Sequence, residues 1–416
     1  MKGCTYASSS KQSELVLQIL ALLTILLTGS GCSGTNTGIT VPTPTSTVPT
    51  KAPAPTDPTS MAQVVYAQPD FTTSTLYPTA QNTLKNAGAI TADQHGGIYV
   101  ADYGNSRVLH FPKTNAHGAG PEADQVYGQT DYTSNTVRHD ANGLNYPHGV
   151  AIDAAGGLYI CDMFNNRILH YPSASSIPNR VYGQSDYTSH EPNNGGVDAN
   201  TLFHPQGIVA NKSGLYVADS GNNRVLHYPL NSTTPDFVYG QGTPGNSQNN
   251  FTSNASGSGS AGLNTPRDIA VDNSGLYVAD SGNHRILHYT LGGSLAERVY
   301  GQPDFSSASV QPNQGKPNPT ATTLNTPTGI AVDSHGGLYI ADRNNNRVLY
   351  YPPKAQSSGN DPAAARVYGQ PSYATDSPST TASTFHGPGA VGVDAQGDLF
   401  VLDIFNQRVL KFVTPE

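Results

Sequence analysis

Tryptophan is absent from this 416-residue sequence, and cysteine occurs only three times. Charged residues make up 12% of the chain, with 21 Lys and Arg against 29 Asp and Glu. A protein that binds nucleic acid through its phosphates needs a basic surface, and a formal net charge of −8 does not supply one. Because lysine and glutamate are good helix formers, their scarcity also argues against long helices. We therefore expect no nucleic-acid partner and little helix.

Glycine, proline and tyrosine are abundant instead, with 43, 31 and 23 copies. Tyrosine favours strands, whereas glycine and proline favour turns. The composition therefore predicts an all-β chain of short strands.

The first 31 residues have the pattern of a secretory signal peptide. Lys2 and Lys11 precede an apolar run over residues 15–27, which is shorter than the roughly 20 residues of a membrane-spanning helix. Small residues follow, directly before Cys32. This ending resembles the lipobox of bacterial lipoproteins, which implies that Cys32 becomes the lipidated first residue of the mature chain. Gly29 stands where that family usually has Leu, so a plain signal peptide stays open.

Residues 32–63 are rich in Pro, Thr and Ser and have few apolar side chains. Such a segment predicts a disordered tether that holds a folded domain over residues 64–416 away from a membrane surface. We expect the protein at the outer face of the cell membrane, held by lipid on Cys32, or secreted. The lipid would be its only contact with the membrane.

Three short patterns recur six times, in the same order, from residue 64 to the end of the chain. They read Gly-Ile-Ala-Val-Asp, Gly-Leu-Tyr-Val-Ala-Asp and Val-Tyr-Gly-Gln, or close variants. In each copy an Arg follows the last residue of the second pattern by five positions. The pairs are Asp102 and Arg107, Asp162 and Arg167, Asp219 and Arg224, Asp280 and Arg285, Asp342 and Arg347, and Asp403 and Arg408. Identical copies indicate architecture, so function should lie where the copies differ.

Each repeat contains four β-rich runs joined by turn sequences. This pattern predicts a six-bladed β-propeller with four antiparallel strands per blade. The run over residues 64–68 has the fourth-strand sequence, whereas the last run, Arg408–Val413, has the third-strand sequence. We therefore expect strand 64–68 to complete the last blade and close the ring.

The unit that begins Pro327-Thr-Gly-Ile-Ala-Val-Asp and ends Asn-Asn-Asn-Arg-Val-Leu resembles the NHL repeat. The resemblance extends over all six copies and implies a six-bladed propeller. NHL-like propellers include RNA-binding modules, sensor domains of kinases and amidating lyases with bound metal. The resemblance therefore leaves the function open.

The residues just before the first strand of each blade differ between copies. By resemblance to the fold, this segment enters the innermost strand at the mouth of the central channel. The polar residues there are His148, Gln206, Arg267, Asp268 and Thr328. A convergent polar set at a channel mouth is the usual geometry of a ligand site. Solvated loop ends are the alternative.

The turns between the second and third strands also differ, and those of blades six, one and two carry large apolar residues. These residues are Tyr103, Met163, Phe164, Ile404 and Phe405. An exposed apolar arc of this kind predicts a partner contact, unless the long loops between blades cover it. Those loops are rich in Asn, Ser, Gly and Thr, which suits neutral polar ligands such as glycans and equally suits plain solvated loops.

Three histidines near the mouth raise the question of a metal. His148, His204 and His386 could supply three ligands with an open position, as in catalytic zinc sites, and the amidating lyases use His-bound metal. However, the three occupy different positions in their repeats, and no carboxylate is placed to support them. We expect no cofactor, and zinc or calcium at these residues is the alternative.

These observations favour a binding or scaffold protein whose loop face contacts a peptide, glycan or protein partner, with no catalytic residues. A metal-dependent enzyme of the lyase or lactonase type, with its site at the channel mouth, remains the alternative.

Overall fold

The structure, a computed structural model, describes residues 61–242, 250–306, 311–353 and 359–413. They form six sheets, one per blade. In each sheet the four antiparallel strands of the blade lie side by side in the order first, second, third and fourth. The first strands of all six sheets line one central cavity of about 270 Å³. The predicted six-bladed β-propeller is therefore confirmed. The predicted signal peptide, Cys32 and the tether up to residue 60 lie outside the described residues.

The strands occupy equivalent positions in the six blades. The first strands are Ile90–Ala92, Pro147–Ile152, Pro205–Asn211, Pro266–Val271, Pro327–Val332 and Pro388–Val393. The second strands are Ile98–Asp102, Leu158–Asp162, Gly214–Asp219, Leu276–Asp280, Leu338–Asp342 and Leu399–Asp403. The third strands are Arg107–Phe111, Arg167–Tyr171, Arg224–Pro229, Arg285–Tyr289, Arg347–Tyr351 and Arg408–Phe412. The fourth strands are Gln125–Tyr127, Arg180–Tyr182, Phe237–Tyr239, Ala296–Tyr300, Arg366–Tyr368 and, for blade six, Val64–Tyr66.

Helical structure in the described residues is limited to short 3₁₀ segments. Six of them form the turns between second and third strands: Tyr103–Asn105, Met163–Asn165, Ser220–Asn222, Ser281–Asn283, Arg343–Asn345 and Ile404–Asn406. Two more, Pro192–Gly195 and Pro312–Gly315, lie in loops between blades. None of the described helices is long and apolar enough to cross a membrane.

The core lies between the blades. Each blade packs one face against the blade before it and the other against the blade after it, so its second strand is apolar on both faces. Ala341 of blade five and Val401 of blade six, for example, are fully buried in one cluster. Cys161 is also fully buried at such an interface, as expected for a small structural side chain.

A buried ion pair organises each turn between second and third strands. In blade four, Arg285 Nε lies 2.7 Å from Asp280 Oδ2, and both side chains are almost fully buried. The other guanidinium nitrogens donate to carbonyls of the flanking loops, including Gly262 at 3.1 Å and Phe305 at 2.9 Å. Burial raises the pKa of the Asp280 carboxyl, and Arg285 opposes that rise. The same pair recurs in all six blades.

A second repeated contact joins each blade to the next. The residue before each of these arginines has a left-handed backbone, as at Asn223 with φ 54°, and its side chain reaches the following blade. Asn223 Oδ1 accepts the backbone N–H of Thr265 at 2.8 Å. In blade six, Gln407 Oε1 accepts the backbone N–H of Asn86 at 2.7 Å. This last contact links the end of the chain to blade one.

The ring closes as predicted, through a strand from the start of the domain. Val65 lies opposite Leu410 in an antiparallel pairing. The closing strand is Val64–Tyr66 and not 64–68, because Ala67 turns the chain away with a φ of 68°. Outside it, Gly118–Ala119 adds a short parallel strand. Ala62, two residues before the predicted domain boundary, also contacts the propeller, because its backbone N–H donates to the Ala382 carbonyl at 2.7 Å.

We expect Val65→Asp to lower the unfolding temperature by several degrees. Val65 is fully buried in the closing strand, and the variant loses roughly 1.5–3 kcal/mol of apolar burial and also buries a charge. Val137→Asp is the matched control, because Val137 is 37% exposed. Thermal unfolding of the two full-length variants checks this. Equal unfolding temperatures would contradict closure by this strand.

Candidate functional site

Two rings of residues surround one end of the channel. In blades two to six, the mouth position is the second residue of the first strand, and Gly88 is the equivalent residue of blade one. The six mouth positions are Gly88, His148, Gln206, Arg267, Thr328 and Gly389. The turn positions are the first residues of the six 3₁₀ turns: Tyr103, Met163, Ser220, Ser281, Arg343 and Ile404. Proline precedes the mouth position in five blades, which fixes φ where the chain enters the strand.

A cavity of about 360 Å³ lies at this end, and we call it the mouth cavity. Its lining residues are Asn86, Ala87, Gly88, Tyr103, His148, Met163, Gln206, Arg267, Arg343, Ile404 and Phe405. The structure thus brings together three of the predicted ligand residues and four of the predicted partner-contact residues. Asp268, Thr328 and Phe164 are not part of the lining.

Asp268 has a different environment from the one we predicted. It lines the central cavity, and its carboxylate accepts the backbone N–H groups of Ile269 and Ile330, each at 2.9 Å. Because Ile330 belongs to the next blade, Asp268 joins blades four and five. Burial raises the pKa of Asp268 to about 7.

Thr328 and Phe164 also point away from the mouth cavity. Thr328 is buried, and its hydroxyl donates to the Pro388 carbonyl of the next blade at 3.5 Å. The Phe164 ring packs on Tyr146, with ring centres 5.4 Å apart, and on His204, at 4.7 Å. Neighbouring blades therefore determine where both side chains lie, and the repeat alignment alone does not give their directions.

The three histidines considered as metal ligands do not converge. His204 lies two residues before the mouth position Gln206 and has a left-handed backbone. Its ring packs on Phe203, with ring centres 4.3 Å apart. The His386 ring packs on Phe405 at 4.9 Å, and only His148 lines the mouth cavity. In the described part of the chain, no group of three His, Cys, Asp or Glu residues is placed to hold a metal.

His148 is held neutral in the mouth cavity. Burial lowers its pKa to about 3, and the positive charges of Arg267 and Arg343 contribute to the shift. Its Nδ1 is buried and has no hydrogen-bond partner among the described residues. Tyr103 stands edge-on to the imidazole, with ring centres 6.3 Å apart.

Two arginines face the mouth cavity together. The Nε of Arg267 is buried and has no hydrogen-bond partner within the described ranges, and burial lowers the pKa of this guanidinium. Arg343 lies over the Phe405 ring, 5.4 Å from its centre. Burial also lowers the pKa of Arg343, and the charge of Arg267 lowers it further.

Arg343 was missing from the predicted site. The signal for it was present in the sequence, because Arg343 is the one charged residue among the six turn positions. In blades three and four this position is a buried serine that bonds the next blade, Ser220 to the Pro266 carbonyl and Ser281 to the Pro327 carbonyl. The four larger residues at this position line the mouth cavity instead.

The predicted apolar arc is partly exposed. Phe164 and Phe405 are 38% and 47% exposed, so the described loops do not cover them. Tyr103 packs on Tyr146, with ring centres 4.9 Å apart, and Tyr146 packs on Phe164. A glycine makes room at the other end of the arc, because a Cβ on Gly389 would lie 2.1 Å from Ile404 Cδ1.

Solved structures with a similar fold include proteins of several kinds. A protein of unknown function from Bacteroides thetaiotaomicron is 16% identical, with 85% of this chain and 76% of that chain covered and a TM-score of 0.52. Hydrazine synthase from Kuenenia stuttgartiensis is 12% identical, over 80% and 97% of the two chains, with a TM-score of 0.48. Virginiamycin B lyase from Staphylococcus aureus is 12% identical, over 82% and 86%, with a TM-score of 0.45. At such identities the likeness concerns the fold.

The family model for the NHL repeat matches four segments, residues 84–111, 144–171, 263–289 and 324–351. Each segment runs through the first three strands of one blade, in blades one, two, four and five. Blades three and six have the same strand order and the same buried Asp–Arg pair. The protein is therefore a six-bladed β-propeller that carries NHL repeats.

Proposed function

We propose that this protein is an extracytoplasmic, lipid-anchored binding protein that uses the loop face of its propeller to contact a peptide, glycan or protein partner. The mouth cavity supports the proposal most directly, because side chains from several blades converge there. Its volume of about 360 Å³ lies within the usual range of small-ligand sites. A loop, a side chain or one or two sugar units of a larger partner would fit into it.

The polar and aromatic groups at the mouth support a binding role in different ways. Gln206 offers an amide that can donate and accept hydrogen bonds. Tyr103 and Phe405 add aromatic surface, and aromatic residues contribute strongly to interfaces. Phe405 both lines the mouth cavity and is 47% exposed, so one partner could contact the cavity and the surface beside it.

The anchor rests on the N-terminal sequence. A charged start, an apolar run and small residues before Cys32 are followed by a Pro- and Thr-rich segment. A lipidated Cys32 would hold the propeller outside the cell membrane, and the segment would give it reach.

We expect the purified protein to bind particular members of defined peptide or glycan arrays, and Phe405→Ala or Gln206→Ala to weaken that binding at least about tenfold. Leu291→Ala is the control, because Leu291 is 46% exposed and lies outside the mouth cavity. Unfolding temperatures measured in parallel identify variants that are merely unstable.

Binding that survives both mouth variants would contradict the proposed site. Elemental analysis of the same preparations tests the enzymatic alternative. A stoichiometric metal that disappears in His148→Ala would favour a metal-dependent enzyme over a binding protein.

We expect Cys32→Ser to move the protein from the membrane fraction to the soluble fraction, because the variant lacks the sulfur that would carry the lipid. Cys4→Ser is the matched control, since Cys4 precedes the apolar run of the signal. Fractionation with metabolic lipid labelling measures both. If Cys32→Ser carries no lipid label but stays in the membrane fraction, lipid on Cys32 is not what holds the protein at the membrane.

A further inference from the structure

We propose that the mouth cavity binds an organic anion whose carboxylate or phosphate group lies between Arg267 and Arg343 and whose apolar part packs on the surrounding aromatic and aliphatic side chains. This inference rests on the proposed function, since it names the chemistry of the ligand that the same cavity would take.

The mouth arginines differ from the other buried arginines of the protein. Each of the six repeat arginines has its Nε within 2.8 Å of an Asp carboxylate. Arg267 and Arg343 have no ion-pair partner in the described part of the chain, although both are partly buried. An unpaired guanidinium that is partly removed from water is costly unless an anion approaches it.

The mouth cavity also brings its positive groups close to one another. Arg267 and Arg343 both line this cavity, and the charge of Arg267 adds to the effect of burial in lowering the pKa of Arg343. Among the described residues, those that line the cavity include no Asp or Glu. A bound anion would therefore relieve repulsion between the two guanidinium groups.

The carboxylates next to the two arginines in the sequence have other partners, since Asp342, beside Arg343, pairs with Arg347 at 2.7 Å. Asp268 follows Arg267 directly, but both of its oxygens accept backbone N–H groups at 2.9 Å, from Ile269 and Ile330. It lines the central cavity and not the mouth cavity. The positive charge at the mouth is therefore left for a ligand.

The shape of the cavity adds a second requirement. Guanidinium groups match the planar oxygen pair of a carboxylate and the oxygens of a phosphate. Tyr103, Met163, Ile404 and Phe405 form the apolar part of the lining. An anion with an apolar or aromatic body would contact both the guanidinium groups and the apolar side chains, whereas an inorganic ion would contact only the guanidinium groups.

Methionine NMR offers a direct readout. The chain contains only three methionines, and of these Met163 lines the mouth cavity, whereas Met61 is 58% exposed at the start of the described chain. Phenylacetate and phenyl phosphate should shift the labelled Met163 methyl resonance in a saturable way and leave that of Met61 unchanged. The probe with the higher affinity shows whether the cavity prefers a carboxylate or a phosphate.

Phenylacetamide is the matched neutral probe, and we expect it to bind at least about tenfold more weakly than phenylacetate. Inorganic phosphate should also bind more weakly than phenyl phosphate. Arg267→Met and Arg343→Met should each reduce the affinity for the anions at least about tenfold, whereas Arg343→Lys should retain part of it. Arg138→Met is the control, because Arg138 pairs with Asp140 on the surface at 2.9 Å.

Equal affinity for the acid and the amide, or no shift of Met163 by any anion, would overturn the inference. Anion affinity that is unchanged in the folded Arg267→Met and Arg343→Met variants would also overturn it. In either case the proposed function would still stand if array binding were lost in Phe405→Ala. If the anions bind but no array member binds in a way that depends on the mouth residues, the result would instead contradict the proposed peptide, glycan or protein partner.

Discussion

The buried Asp–Arg pair of each repeat is the interaction on which the rest of the propeller depends. One guanidinium fixes the turn of its own blade through the Asp and holds the loops on both sides through their carbonyls, as Arg285 does with Asp280, Gly262 and Phe305. Removing one member of such a buried pair typically costs about 3–5 kcal/mol, because the other charge stays buried. Six copies of this arrangement therefore hold long loops in place with few charged residues.

This framework also explains why neighbouring positions can vary. The turn that carries the pair begins with the residue at the turn position, and the loop that it holds leads into the mouth position. Because the backbone is fixed by buried contacts, the side chain at either position can differ between blades while the backbone stays the same. Met163, Arg343 and Ile404 thus occupy equivalent turns with the same backbone geometry, and together they give the mouth cavity its mixed character.

The sequence was sufficient to predict the architecture but not the directions of individual side chains. The phase of the repeats predicted the closing strand, since Val65 carries the fourth-strand pattern and finds Leu410 in the incomplete blade. The phase of the repeats also predicted His148, Gln206 and Arg267 at the mouth, because aligned copies place equivalent residues at equivalent points of the fold. It failed for Asp268 and Thr328, because contacts with the next blade determine where these side chains lie. The sequence also did not indicate where Arg343 lies, because the same turn position bonds the next blade in blades three and four and lines the mouth cavity in the other four.

Arginines of two kinds coexist in this protein, because the six repeat arginines pair with Asp, whereas Arg267 and Arg343 have no acidic partner among the described residues. Arg285 and Arg267 belong to the same blade, so replacing each by methionine makes a matched pair for calorimetric unfolding without added ligand. We predict that Arg285→Met lowers the unfolding temperature substantially, and that Arg267→Met leaves it unchanged or raises it, because a repelling charge is removed. A comparable fall in both variants would contradict this account of the mouth.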